Sequence, residues 1–224
     1  MHIKSIAAAL TAALLLGSAA EAADLIIEPP VVIDEAYDWT GPYVGVHAGY
    51  LSGRVDIDYE DLATEGDLAG FLGGFYGGYN FQADGIVFGV EGDVGFGSVS
   101  GDGGSAPPQP VIAYEYDLIW NAHLRGRIGL PVDQALFYLA GGLAVASHTL
   151  TVIELQYEGG GTQVHVGWTA GFGAEIVVAD NIVLRAEYLY DDYGTKTYTT
   201  EVPDDEYEVG ITAHTVRAGI AVTF

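Results

Sequence analysis

The sequence predicts an all-β chain, an eight-stranded antiparallel up-and-down barrel suited to crossing a bilayer, and three observations predict it. Apolar and polar residues alternate along eight separate stretches. The connections between those stretches alternate in length, long then short. The stretch Gly167 to Gly194, GWTAGFGAEIVVADNIVLRAEYLYDDYG, reads as one hairpin with two unlike faces. Trp168, Ala170, Phe172, Ala174 and Ile176 share one side of its first arm, and Leu184, Ala186, Tyr188 and Tyr190 continue that side after the Asp180-Asn181 turn. Thr169, Glu175, Arg185, Glu187 and the glycines 167, 171 and 173 take the other side. Each arm has about the ten residues a tilted strand needs to span a bilayer. Aromatics and aliphatics opposite small residues and charges fit lipid outside and a polar interior.

The chain ends bound the rest. Residues 1–22 carry Lys4, an apolar run from Ile6 to Leu16 and the small-x-small site Ala20-Glu21-Ala22, the pattern of a signal peptide. Residues 23–40, with Pro29-Pro30 among acids, are expected as an N-terminal periplasmic leader, and residues 41–224 as the barrel. With no cysteine, no disulfide supports the exported fold, so a closed hydrogen-bonded sheet must do so. The net charge of -24 excludes nucleic acid as a partner, because a polyanion would be repelled.

In order, the first strand is expected from Gly41 to Leu51, with Val44, Val46, Ala48 and Tyr50 on one face. Arg54 to Asp67 holds six acids and reads as a loop. The second strand, Ala69 to Gln82, meets the third, Ile86 to Ser98, through the short turn Ala83-Asp84-Gly85. Val99 to Ala113, with Gly103-Gly104 and Pro107-Pro108, reads as a loop. On the fourth strand, Tyr114 to Leu130, the face of Leu118, Trp120, Ala122, Leu124 and Ile128 opposes Asn121, His123, Arg125 and Arg127. A tight turn at Pro131 to Gln134 leads to the fifth strand, Ala135 to Leu150. Loops are expected around Gly159-Gly160-Gly161 and from Lys196 to Glu208, and Val209 to Phe224 closes the set. An even strand count puts both chain ends on the side of the tight turns.

The hairpin, together with DWTGPYVGVHAGY at Asp38 to Tyr50 and a last strand ending in Phe224, resembles the small outer-membrane β-barrel family of alphaproteobacteria, the porin-like surface antigens related to opacity proteins. The resemblance spans nearly the whole mature chain. It implies an eight-stranded barrel in the cell outer membrane, delivered by the outer-membrane assembly machinery, for which the terminal aromatic Phe224 is a recognition signal. It implies no reaction and no cofactor.

Strand parity turns eight charges inward: Glu91, Asp93, Glu175 and Glu187 with Arg125, Arg127, Arg185 and Arg217. Arginine facing lipid costs about 2 to 4 kcal/mol at mid-bilayer, so an inward, paired network is expected, filling a lumen only wide enough for side chains. The competing expectation is a small porin-like diffusion channel. Acids crowd the long loops, where the only cations are Arg54 and Lys196. Asp56, Asp58 and Glu60 have alternate oxygen donors and are weak candidates for a divalent cation, since Asp61 stands where a calcium loop requires glycine. Lipid and lipopolysaccharide, with cations bridging to the acidic loops, are the expected partners. Ser147, His148, His123 and His165 are the available catalytic side chains, but neighbouring strand residues such as Ser147 and His148 point to opposite faces, so no enzyme is expected.

Overall fold

A computed structural model describes residues 37–59, 62–104, 112–154, 157–199 and 206–224. The chain divides into two units, residues 1–35 and 36–224, and all the described residues belong to the second. Eight strands follow one another: β1 (Gly41–Tyr59), β2 (Leu62–Ala83), β3 (Ile86–Gly104), β4 (Ile112–Val132), β5 (Ala135–Glu154), β6 (Tyr157–Ala179), β7 (Ile182–Thr199) and β8 (Glu206–Thr223). Each pairs antiparallel with the next, and β8 pairs with β1, so the sheet is a closed barrel without an edge. Three two-residue turns lie at the end that also holds residues 37–40 and Phe224. Asp84 and Gly85 take φ of 50° and 76°, the mirror-image turn whose twist matches the flanking strands. Asp133 does likewise at 53°. Neither Asp180 nor Asn181 has positive φ, and there the register shifts between Val177 and Ala179.

The strands run much farther than the sequence suggests. The stretch from Arg54 to Asp67, expected as a loop, is largely paired strand, with Arg54 opposite Asp67 and Asp56 opposite Glu65. Likewise Val99 to Gly104 belongs to β3, Thr151 to Glu154 to β5 and Tyr157 to Val166 to β6. The reason is an inversion of the alternation. Toward the turn end, Val44, Phe75, Leu124, Leu139, Phe172 and Val216 face outward and polar residues face in. Beyond the outer ring of Tyr50, Phe71, Phe96, Trp120 and Trp168, Val55, Ile57, Leu68, Val99, Ile211 and Val209 are buried inside. There Asp56, Asp58, Glu65, Asp67, Asp102, Glu115 and Asp117 take the outside. A lipid-facing barrel thus becomes a water-facing one on the same strands. At about 3.3 Å per residue and a tilt near 45°, the nine residues from Leu51 to Tyr59 rise roughly 20 Å above the aromatic ring.

Irregularities adjust this switch. Ile119 is an extra residue between the pairs Leu118 with His148 and Trp120 with Ser147. Such a bulge flips parity. Leu118, expected on the face of Trp120, Leu124 and Ile128, is therefore turned inward and buried. On β7 the register shifts between Asp192 and Thr195, where Gly194 has φ of 65°. Glycine takes that angle without the strain most side chains would bring, which lets Tyr193 point inward below the bulge and Tyr198 above it.

The lumen is filled in three layers. At the turn end Trp39, Val87, Leu136, Tyr138, Ala140 and Val183 form an apolar cap with Tyr37 and Val177 packed on it. Residues 37–40, expected as part of the leader, are therefore built into the barrel mouth. Trp39 donates its backbone N–H to Gln82 Oε1 at 3.0 Å, Gln82 donates to Thr40 Oγ1 at 3.1 Å, and the Tyr37 hydroxyl meets Thr223 Oγ1 at 2.8 Å. The middle layer is charged. The far layer is a second apolar cluster, from Leu51, Val55 and Leu72 to Leu150, Tyr198 and Ile211.

Candidate functional site

The middle layer is set by register. Alternation on β3, β4, β6, β7 and β8 aims Glu91, Asp93, Arg125, Arg127, Glu175, Arg185, Glu187 and Arg217 inward, and all eight are buried. Pairing places Glu91 opposite Arg125, Glu175 opposite Arg185 and Glu187 opposite Arg217. Unlike charges directly opposite on one face attract. Two of these neighbours bond closely, Arg185 Nε to Glu175 at 2.7 Å and Arg217 Nε to Glu187 at 2.6 Å, and Arg125 bonds to Glu91.

Longer reaches cross the lumen. Arg125 lies 3.0 Å from Glu187, Arg185 is 2.7 Å from Glu91, and Arg217 is 2.9 Å from Asp93. Arg127 divides itself between Glu91 at 3.1 Å and Glu175 at 3.0 Å. Forked guanidinium groups can serve two carboxylates at once, which a lysine could not do in a fixed plane. The network therefore ties together strands that are not sheet neighbours.

Three tyrosines complete the layer, and sequence reasoning missed them. Tyr43 donates its hydroxyl to Glu91 at 2.7 Å and accepts from Arg127 at 2.8 Å, while Tyr138 donates to Glu187 at 2.9 Å. The guanidinium of Arg127 stands 4.1 Å from the Tyr138 ring centre and that of Arg185 stands 4.1 Å from Tyr76. Such stacking offsets part of the cost of desolvating the cations. Glycines give the rings room: a Cβ at Gly45 would lie 2.5 Å from the Tyr76 ring, and one at Gly78 would lie 2.5 Å from the Tyr43 hydroxyl. An available signal was the shared parity of Tyr43, Gly45, Tyr76 and Gly78 on β1 and β2.

Two more members stand outside the eight expected charges: His123, already on the inward face of the fourth strand by alternation, and Asp191. His123 lies directly opposite Asp93, with Nδ1 2.9 Å from that carboxylate and Nε2 3.2 Å from Asp191. His123 shares the parity of Arg125 and Arg127, and Asp191 that of Arg185 and Glu187. Asp191 was hidden in the run Asp191-Asp192-Tyr193-Gly194, whose composition reads as a turn.

The remaining candidates fall elsewhere. Asp56 and Asp58 are exposed side by side on the outer face of extended β1 instead of in a loop, with Asp56 opposite Glu65. Glu60 lies outside the described residues. Among the described residues, no group of three or more His, Cys, Asp or Glu is arranged to hold a metal ion. His148 and His165 lie in the far layer, rings 5.5 Å apart and perpendicular, with His165 Nε2 2.9 Å from the Tyr198 hydroxyl. Phe224 is largely exposed at the turn end, and its backbone N–H donates to Pro42 O at 3.0 Å.

Comparison with known proteins agrees with this geometry. Residues 9–224 match the model of the outer membrane protein beta-barrel domain. The chain is 32% identical to the 31 kDa outer-membrane immunogenic protein of Brucella melitensis over 99% of its own length and 100% of the relative's. It is 31% identical to the 25 kDa outer-membrane immunogenic protein of Brucella abortus, covering 99% of each chain. A 22 kDa outer membrane protein of Rhizobium leguminosarum is 32% identical over 86% of this chain and 81% of that protein. With closed strands, a lipid-suited exterior and relatives of this kind, the chain belongs to the outer membrane protein β-barrel family and resides in the outer membrane.

Proposed function

We propose that the protein is a structural and surface-displaying component of the envelope: a closed barrel that conducts little and raises an acidic collar above the membrane. The observation that supports this reading is the succession of three buried layers along the barrel: the cluster around Trp39, the ion-paired layer and the apolar cluster around Leu51 and Ile211. An eight-stranded barrel has an interior just wide enough for side chains, so filled layers leave no aqueous path. The relatives' description as immunogenic supports an exposed role for the collar, whose outward carboxylates include Asp56, Glu65, Asp102 and Asp117. Lipopolysaccharide is also anionic, so the collar would meet it through bridging divalent cations, while Phe224 would be read by the assembly machinery at the turn end.

This function includes no reaction. His148 packs on His165 and Tyr193 within the apolar layer, separated by alternation from its neighbour Ser147.

The deciding measurement is conductance of the refolded protein in planar bilayers. The closed-barrel reading expects rare or no channel steps at neutral pH. Steady, ohmic openings in most insertions would replace it with the diffusion-channel reading.

A further inference from the structure

The buried ionic layer does not balance on its arginines. Among the described residues, the buried carboxylates are Glu91, Asp93, Glu175, Glu187 and Asp191, five in all, whereas the buried arginines are Arg125, Arg127, Arg185 and Arg217, four. A surplus negative charge in a low-dielectric lumen is expensive, far more so than the same charge in water. The place where the imbalance falls is visible. Asp191 is the one acid of the five with no arginine within salt-bridge distance, and its near partner is His123.

We infer that His123 is the fifth cation of the lumen, held as a doubly protonated imidazolium that latches Asp93 on β3 to Asp191 on β7. The geometry requires it on its own. Nδ1 is hydrogen-bonded to Asp93 at 2.9 Å, and Nε2, buried and without a hydrogen-bond partner, stands within ion-pair distance of Asp191 at 3.2 Å, so the acceptor-only oxygens nearest both nitrogens are carboxylate. A neutral imidazole has a single N–H; its other nitrogen would present a lone pair to a carboxylate. With two protons, the Nδ1 contact becomes a charge-assisted hydrogen bond and the Nε2 contact a close ion pair, and five positive charges meet five negative ones.

Every group around the ring fits this assignment. Asp93 also receives Arg125 at 3.1 Å and Arg217 at 2.9 Å, so it stays anionic. Asp191 is bonded by the Tyr193 hydroxyl at 3.4 Å. His47 on β1, buried with neither ring nitrogen bonded, is the nearby imidazole with no carboxylate in contact and is the one left neutral. The ring is thereby a proton-dependent clasp between β4, its sheet neighbour β3 and β7 across the lumen. Its contribution to stability is present while the second proton is bound and is lost as rising pH removes it.

The inference deepens the closed-lumen reading, and its test is separate from that one, because a proton on a ring can be read whether or not the barrel conducts. Protein labelled with ¹⁵N-histidine and held in detergent micelles is measured by NMR at pH 7.5, with the His123 signals assigned by their loss in His123→Gln. Two nearly equal ring-nitrogen shifts of imidazolium type, in a ring that the other histidines do not match, are expected. One protonated and one bare nitrogen at that pH would overturn the inference. A second measurement uses stability. Asp191→Asn alone should lower the unfolding midpoint, since it leaves one cation in excess, whereas the same change in a His123→Gln background should raise it, since it removes the orphaned carboxylate. The same direction of shift in both backgrounds would also overturn the inference.

Discussion

At the residue scale, the charged layer is a mesh, and meshes distribute damage. Removing one partner of a buried ion pair typically costs about 3 to 5 kcal/mol, because the survivor is left uncompensated in low dielectric. Here each survivor retains other partners. After Glu91→Ala, Arg125 still touches Asp93 and Glu187; after Arg125→Ala, Glu91 still touches Arg127 and Arg185. Each single substitution is therefore expected at or below the lower end of that range, and the double substitution is expected to cost clearly less than the sum. Denaturant midpoints for the four proteins of the cycle check this, and strictly additive losses would show that the two residues do not interact. The pairing of Arg127 with Asp93, which sequence parity also allows, is not formed: Arg127 sits opposite Gly89 and turns to Glu91 and Glu175. Parity was legible because alternation fixes a face. The partner across the lumen was not, because it depends on barrel closure and strand stagger, which no local pattern encodes.

At the element scale, the eight strands were legible within the bilayer and illegible beyond it, for one physical reason. Alternation was read as apolar outward, so the stretch where water replaces lipid looked like its breakdown. In the segment from Arg54 to Leu68, the described acids Asp56, Asp58, Glu65 and Asp67 are outward strand positions and Val55, Ile57 and Leu68 are the inward ones. Period two persists there with its sign reversed. The bulge at Ile119 added a second obstacle, since an extra residue in a continuous apolar run such as Leu118-Ile119-Trp120 leaves no mark. The last element carries its own prediction. The Phe224 side chain is 76% exposed, and its N–H bond to Pro42 would be made by any non-proline residue. Phe224→Ala should thus change the stability of inserted barrel by less than about 0.5 kcal/mol, the usual range for an exposed site away from special features. If the terminal aromatic is an assembly signal, the same change should sharply reduce the amount reaching the outer membrane. Quantitative recovery of the variant from outer-membrane fractions, equal to the parent's, would show that the aromatic is not read.

At the scale of the whole molecule, the closed-barrel reading makes the three buried layers act as seals in series, and flow through a series is governed by its tightest member. Removing one seal should therefore weaken the protein without opening it. The cap is the seal to test, because it rests on a segment outside the strands. Trp39 is 4% exposed, packs against Val87, Leu136 and Val183, and meets Tyr37 edge-on at 5.0 Å between ring centres. Trp39→Ala would leave a large void at the turn end, and aromatic-to-alanine changes in packed cores cost about 3 to 5 kcal/mol. The variant should unfold at lower denaturant than the parent, yet in planar bilayers it should stay at the parent's baseline. The middle layer remains clamped by Arg125, Arg185 and Arg217, and the far layer around Leu51, Leu72, Leu150 and Ile211 remains packed. Even Trp39→Ala joined to Glu187→Ala, which frees arginines on two other strands from one carboxylate, leaves the far apolar layer in series and should also stay at the baseline. Conductance steps in Trp39→Ala alone would mean that the two inner layers are permeable and that the cap is the gate of a channel.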